Sequence, residues 1–394
     1  MNHGPENNGP FEKEKHMSNF FTAEQVAWGR KMADQLKGKM PYALKKALDV
    51  DGIPYTVEGD AWVPAERGIT WWTNGFWPAL MWRMYLLTED NAYRLEAMRA
   101  EEMMDGAFQK FEVLHHDVGF QWRISAGVQH ALTGNPASYR RMEMAYRLLA
   151  SRFNPNGFIR AWNGEERPGW SIIDTMMNLP LLYWASEQTN DPRFRLMACR
   201  HADMVLRNFF RPDGSVNHIV IYDPENGQVL DTPRGQGYAP GSSWSRGQGW
   251  ALYGFAISFR HTGRQEYLDA SRRVADYYLS HMPADFISPC DFAAPAEPVV
   301  KDNCAGCIAA CGLMELANQL PGDEGKPYVQ AAVQLLQAME QAGDLDFAQV
   351  SPAVVKRCSV AYHTDTGRHI YMNYADYYFA EAVARLVGEN TFFW

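Results

Sequence analysis

No run of about 18 apolar residues occurs anywhere in the 394-residue chain, so no segment reads as a membrane-spanning helix. No basic tract occurs either. The 37 Lys and Arg are outweighed by 46 Asp and Glu, a net charge of −9, and general nucleic-acid binding, which rests on clustered cations neutralising phosphates, is not expected. An anionic small substrate would have to meet a local arginine. Cysteine is sparse: Cys199, Cys290, Cys304, Cys307, Cys311 and Cys358 are scattered through a long chain, which suits a reducing, cytoplasmic compartment better than a disulfide framework. The stretch "CAGCIAAC" would align three thiols on one helix face, but no fourth ligand follows at metal spacing and the neighbours are small, so a packed helix face is expected. The signatures G-x-S-x-G, G-x-G-x-x-G and H-x-x-x-H are missing, leaving a serine nucleophile, a dinucleotide site and a helix-borne metal site without support. The polar residues 1–21 carry no apolar signal segment and read as a disordered head, within which Met17 is a candidate natural start; residues 22–394 form the expected single domain.

Aromatics and repetition are what the chain has in quantity. It holds 13 Trp, 19 Tyr and 20 Phe among 46% hydrophobic residues, enough for a large core and for a ring-lined cleft. A turn signal, an aromatic and helix-spaced alanines recur in "TEDNAYRLEA", "TGNPASYRRMEMA", "TNDPRFRLMACRHA", "TGRQEYLDASRRVA" and "PGDEGKPYVQAAVQLL", each reading as a bend followed by a new helix. Upstream of each lies another helical segment, near 73–87, 118–132, 172–188, 246–261 and 303–320. With an opening helix near 22–40 and a closing one near 374–388, about twelve helices pair into six hairpins. Missing polar caps favour a closed (α/α)6 barrel, an all-α fold, over an open solenoid. Short β excursions are expected in the connections, with a hairpin turning at Asn226-Gly227 in "VNHIVIYDPENGQVL".

Antiparallel alternation places the start of every upstream helix at one end of the barrel. The segments entering those starts are "WWTNGFW", "HHDVGF", "WSIIDTMMN", "SSWSRGQGW", "KDNCAGC" and "NYADYY", so one mouth gathers most of the unusual Trp, Asp and Arg. Asp117 and Asp174 enter adjacent inner helices there, in apolar and aromatic sequence. Burial raises a carboxyl pKa and two neighbouring carboxylates resist double ionisation, an arrangement suited to acid/base chemistry on sugars. Helix capping is the competing explanation for each. His115, His116 and Asp117 could also be metal ligands, but adjacent residues on a helix diverge, so one histidine is expected to hydrogen-bond ligand or Asp117 and the other to pack. Arg246, flanked by Trp244 and Trp250, is the candidate cation for an acidic sugar. Arg368 and His369 are candidates to meet a sulfate.

Taken in order, "WWTNGFWPALMW", "HHDVGFQW", "IIDTMMNLPLLYWASEQTNDPRF", "HIVIYDPENG", "SSWSRGQGWALYGFA" and "DYYFAEAVARL" resemble the unsaturated glucuronyl hydrolases of glycoside hydrolase family 88, over residues 22 to 388. The resemblance implies an (α/α)6 barrel. It also implies removal of a 4,5-unsaturated uronic acid from the non-reducing end of lyase-generated oligosaccharides, by hydration of the C4=C5 vinyl ether rather than attack at the anomeric carbon. By motif, Asp174 is implied as general acid/base and Asp117 as its partner. His218, Gln236, Arg246 and Trp250 are implied to bind the uronate ring, with Trp72, Phe76, His116 and Trp162 as walls or hydrogen-bonding groups. No metal or organic cofactor is implied. Two positions depart from the family's pattern: Gly235 stands where a histidine is usual, and Asn74 where an acidic residue is common. The competing functional readings are an unsaturated rhamnogalacturonyl hydrolase with the same chemistry, a sugar epimerase on the same fold, and a helical-repeat carbohydrate-binding protein.

Overall fold

A computed structural model describes residues 20–394; most of the head expected at 1–21 lies outside the described residues. Along the chain, outer and inner helices alternate. Outer α1 (Ala23–Ala47) precedes inner α2 (Phe76–Thr88) and outer α3 (Asn91–Met103). A single turn, α4 (Asp105–Phe108), leads to the second inner rod, split into α5 (Val118–Trp122) and α6 (Ala126–Thr133), and then to outer α7 (Pro136–Ser151). The third inner rod is a 3₁₀ turn, Ile173–Met177, continued by α8 (Pro180–Thr189) and followed by outer α9 (Pro192–Asn208). Inner α10 (Ser245–Thr262) pairs with outer α11 (Gln265–Ser280), inner α12 (Asn303–Gln319) with outer α13 (Lys326–Gln341), and inner α14 (Asn373–Leu386) ends the series. Because α14 packs against both α12 and α2, and α1 against α14, the six hairpins close into the (α/α)6 barrel.

The recurrent turns work by local chemistry. Inner rods stop on left-handed residues, Glu89, Gly134, Asn190 and Gly263, with φ from 53° to 70°, the backbone state that ends a helix. The next helix opens on a side-chain cap: Asp90 accepts from Ala92 N–H, Asn135 from Ala137 and Asp191 from Arg193, and Pro136 and Pro192 stand at first helical positions that need no N–H. The repeated aromatic then ties its outer helix inward or sideways. Tyr139 packs on Trp184, the Tyr267 hydroxyl donates to Asp203, and the Tyr328 hydroxyl donates to Asp276.

Inner helices α10, α12 and α14 are buried along nearly their whole length, whereas the outer ones bury one stripe, as the two layers require. All six cysteines are buried and unpaired; Cys304, Cys307 and Cys311 pack within α12 against neighbours such as Met339 and Tyr378. Among the described residues no helix is long and apolar enough to cross a membrane.

The β excursions sit in the connections. β1 (Pro54–Glu58) pairs antiparallel with β2 (Ala61–Pro64); β3 (Trp170–Ile172), β4 (Ile219–Tyr222) and β5 (Val229–Asp231) form a sheet in that order. The β4–β5 hairpin turns where expected, with Gly227 at φ 75°. This sheet has a positional consequence. Asp174 follows β3 and His218 precedes β4, and the bond from Ile173 N–H to the His218 carbonyl (2.9 Å) clamps the two segments together.

At the opposite end, residues 389–394 fold across the barrel. Arg83 donates to Glu389 and to the Thr391 carbonyl, Arg123 donates to the Trp394 carbonyl, and Trp394 stacks on Tyr378. The barrel therefore has one plugged end and one open mouth.

Candidate active site

A cavity of about 480 Å³ opens at the end where the inner helices begin, lined by Arg67, Trp71, Trp72, Glu112, Val113, His115, Asp117, Trp162, Asn163, Arg167, Ile172, Asp174 and Gln236. Five of the sequence-predicted residues are on that wall: Trp72, Asp117, Trp162, Asp174 and Gln236. Of the other five, Phe76, His116, His218 and Arg246 stand behind it, and Trp250 lies a layer deeper, behind Phe120. Phe76 meets Trp72 edge-on, His116 contacts Asp117, and His218 contacts Asp174. Arg246 donates to the Val360 carbonyl that Gln236 also engages, and Trp250 packs against Phe120 and Tyr378. Sequence reasoning did not single out Arg67, Trp71, Asn163 and Arg167, which come from irregular connections. Arg368 and His369 do not line the cavity: the Arg368 guanidinium holds the Tyr362 carbonyl and Asp365, and His369 Nε2 accepts from Lys301 N–H.

Neither aspartate is a cap. Asp117 occupies the N-cap position of α5 but makes no side-chain bond to the helix backbone, and Asp174 lies inside the first turn of the 3₁₀ segment. Asp117 is buried, and its pKa stands well above the ordinary carboxyl value; burial is the main cause and the charge of Asp174 adds to it, against a hydrogen bond from Asn178. Asn178 Nδ2 lies 3.3 Å from Asp117 Oδ1 and 3.2 Å from the Asp174 carbonyl.

The histidines adopt an arrangement that a helical reading excluded. His115–Asp117 form a turn that ends before α5 begins, so the residues converge instead of diverging by a helical step. His115 Nδ1 and His116 Nε2 lie 3.3 and 3.4 Å from the two oxygens of Asp117, with the rings stacked, and one ligand-type atom from each residue falls within 4.8 Å of the others. His116 is also tied to Thr175 Oγ1 at 2.8 Å. Burial holds His116 far below the usual imidazole range, assisted by His115. His115 is lowered to about 4 by burial and then by Arg152 and Arg67. Both rings are therefore neutral at physiological pH.

Across the cavity, Gln236 N–H donates to His218 Nδ1 (3.0 Å), which leaves Nε2 to carry the hydrogen toward Asp174 Oδ2, 3.5 Å away. Gly235 makes this possible. It has φ 64°, and a Cβ there would sit 2.0 Å from His218 Nδ1, so the usual histidine at this position could not coexist with this placement of His218. Asn74 is equally explicable: its Nδ2 donates to the Gly68 and Ile69 carbonyls (3.0 and 2.9 Å), a bridge an ionised aspartate could not make.

The walls are set by further polar ties. Arg152, at the end of α7, donates to the Arg160 and Ala161 carbonyls and to Asn163, whose Nδ2 donates in turn to the Glu112 and Leu114 carbonyls. These bonds present Trp162 beside the His115 turn. Arg167 lies over Trp162 and Trp170, and Arg67 over Trp71, giving the mouth two cations. Arg246 is buried. Burial works against its charge, but Asp302, 2.5 Å away, raises its pKa on balance, and its remaining donors go to the Ser359 and Val360 carbonyls. Several buried polar atoms at the mouth, His116 Nε2, Asp174 Oδ2, His218 Nε2 and Trp71 Nε1, have no hydrogen-bonding protein partner, a concentration that marks a ligand site.

The family profile described as Glycosyl Hydrolase Family 88 matches residues 57–378. The chain belongs to glycosyl hydrolase family 88. It is 35% identical over 334 residues to an unsaturated glucuronyl hydrolase of Bacillus sp. (strain GL1), covering 82% of this chain and 88% of the relative. It is 29% identical to an unsaturated chondroitin disaccharide hydrolase of Streptococcus pyogenes serotype M1, covering 82% and 83%. The crystal structure of the Bacillus sp. GL1 enzyme, described as responsible for the degradation of glycosaminoglycan, superposes with a TM-score of 0.86 at 32% identity over 92% of this chain and 99% of that one. An unsaturated glucuronyl hydrolase described as specific for heparin superposes at 0.83, with 28% identity over 93% and 97%. As a member of this family the chain is a glycosidase.

Proposed function

We propose that this mouth releases a 4,5-unsaturated glucuronic acid from lyase-generated oligosaccharides, with Asp174 as general acid/base and Asp117 as its protonated partner. The observation that carries the reading is the pair itself: two carboxyls from neighbouring inner rods share one aromatic-walled cavity, and burial together with the other's charge keeps a proton on Asp117. In the reaction the one proton held by the pair passes through Asp174 to C4 and water adds its oxygen to C5, its own proton returning to the pair. The resulting C5 hemiketal opens by breaking the C5–ring-oxygen bond, giving a C5 ketone and a hydroxyl at C1. The C1 hemiacetal then expels the remaining saccharide and becomes an aldehyde, so one water is consumed overall.

Proton transfer to carbon is intrinsically slow, so catalysis depends on holding the acid in line with C4. His218 Nε2 faces Asp174 from one side at 3.5 Å, and the Asp117 carboxyl, with the neutral His115 and His116 beside it, keeps its proton and adds no second negative charge. Trp72 and Trp162 offer faces for sugar rings. Arg67 and Arg167 offer cations for an acidic or sulfated leaving saccharide, a preference in keeping with the glycosaminoglycan fragments named for the relatives. The unpaired cysteines favour a reducing, cytoplasmic setting for this reaction.

The test is a panel of chondroitin, hyaluronan, heparin and gellan lyase digests, following the ultraviolet absorbance of the conjugated double bond. The expected result is its loss together with release of a saturated saccharide. Release of the terminal sugar with its double bond intact would reject hydration in favour of ordinary glycosidic attack.

A further inference from the structure

We infer that Asn178 is a positioning residue that holds Asp117 and Asp174 in register as one acid pair. This rests on the two-carboxyl reading above and assigns a role to a residue outside it. Asn178 is fully buried and ends the 3₁₀ turn that carries Asp174. Its amide orientation is fixed by its surroundings. Phe120 N–H, in α5, donates to Oδ1 at 2.8 Å, so the NH₂ must point the other way, where two acceptors lie: Asp117 Oδ1 at 3.3 Å and the Asp174 carbonyl at 3.2 Å. The flipped amide would set NH₂ against an N–H and its oxygen against both acceptors, so only one orientation satisfies all three. One side chain therefore joins the rod of Asp117 to the rod of Asp174.

The close approach is prepared by Gly119. A Cβ there would lie 2.6 Å from Asn178 Oδ1 and 2.7 Å from its Cα, so any side chain would push the two rods apart. The donor from Asn178 also opposes the burial and the Asp174 charge that raise the Asp117 pKa. The other titratable or charged groups facing Asp117 are His115 and His116 from its own turn and Arg152 from the end of α7, and none of them reaches both aspartates by hydrogen bonds.

The test is Asn178→Asp, nearly isosteric, which keeps an acceptor for Phe120 N–H but replaces the donor with a second negative charge. kcat is expected to fall on the order of 10–100-fold, the cost of a lost buried hydrogen bond together with a new like charge beside the pair, with KM within about twofold. The alkaline limb of the kcat–pH profile should move to higher pH, because Asp117 loses a donor that favours its ionised form and gains a like-charged neighbour; a merely structural role would not move it. In an Asp117→Asn background the same substitution should change residual kcat by less than about threefold. Gly119→Ala, which displaces Asn178 without changing any titratable group, should lower kcat in the same way. Wild-type kcat and an unmoved limb in Asn178→Asp, or an equal effect in both backgrounds, would overturn the inference. Full activity in Asp117→Asn itself would instead reject the two-carboxyl reading.

Discussion

Glu315 near the plugged end of the inner ring and Asp117 at its open end are both buried acids, and their surroundings treat them in opposite ways. At the plugged end Glu315 is surrounded by cations: Arg260 lies at 2.7 Å and Arg385 at 3.2 Å, while Arg385 also reaches Glu381 and the Tyr253 hydroxyl. Burial works against its charge, yet these arginines hold its pKa down at about 2. At the open end Asp117 has another carboxyl and two neutral imidazoles for company, and its pKa rises. Burial is common to both, so the partner decides the charge. Glu315 is thereby a structural anion, and Asp117 a poised proton.

Substitutions should separate these roles. The largest effect is expected from Asp174→Asn, which should fold normally and lose on the order of 10³-fold in kcat on an unsaturated disaccharide; activity within tenfold of wild type would remove Asp174 from the chemistry. Next, Glu315→Gln should lower the free energy of unfolding by about 3 kcal/mol, since it removes the buried carboxylate that Arg260 and Arg385 both engage, while kcat per folded molecule stays near wild type. The same contrast predicts pH behaviour. Glu315, with its depressed pKa, contributes stability that is present above the unfolded carboxyl value near 4.3 and is lost as pH falls through its folded value. Asp117, raised by burial, costs stability as pH climbs above about 3.9, its unfolded value. Asp117→Asn should therefore flatten the neutral-pH loss of stability and leave the acid branch intact, read as unfolding midpoint against pH.

Arg246→Ala sharpens the comparison inside the active-site end. Its guanidinium is matched to Asp302, so removal should lower the melting midpoint at least as clearly as it raises KM, and Arg246→Ala/Asp302→Ala should recover part of that stability because no charge is left uncompensated. The smallest change is expected at the rim. Arg167→Ala, which removes a partly exposed cation, should raise KM a few-fold for a sulfated substrate, corresponding to about 0.5–1 kcal/mol, and less for an uncharged leaving sugar.

Much of this was readable in the chain because it is local. The bend-aromatic-helix repeat encodes its own stops and caps, as Gly134–Pro136 and Asn190–Pro192 show, and alternation of the hairpins then brings Asp117 and Asp174 to one mouth. The Asn226-Gly227 hairpin was equally legible from turn chemistry. What escaped depends on paths that have no period. Helix geometry misjudged the His115–Asp117 turn because the helix starts one residue later. Arg246 looked like a free cation because its partner, Asp302, lies 56 positions away. Arg67, Asn163 and Arg167 arrive on loops held by side-chain-to-carbonyl bonds, and Asn178 hides in "IIDTMMN" as the last of three polar residues, four positions after the aspartate that draws the eye. The closing tail at 389–394 had no sequence signal beyond its aromatics.

Burial pushes both acids upward and arginine partners reverse that push at Glu315 alone, and ¹³C carboxyl NMR titration of the labelled protein tests this in one experiment, with resonances assigned by Asp117→Asn and Glu315→Gln. Asp117 is expected to titrate well above the ordinary carboxyl range, and at a lower pH once Asp174→Asn removes its charged neighbour, while Glu315 stays ionised down to the acid unfolding limit. An Asp117 resonance already fully ionised at pH 4, or one indifferent to Asp174→Asn, would contradict it.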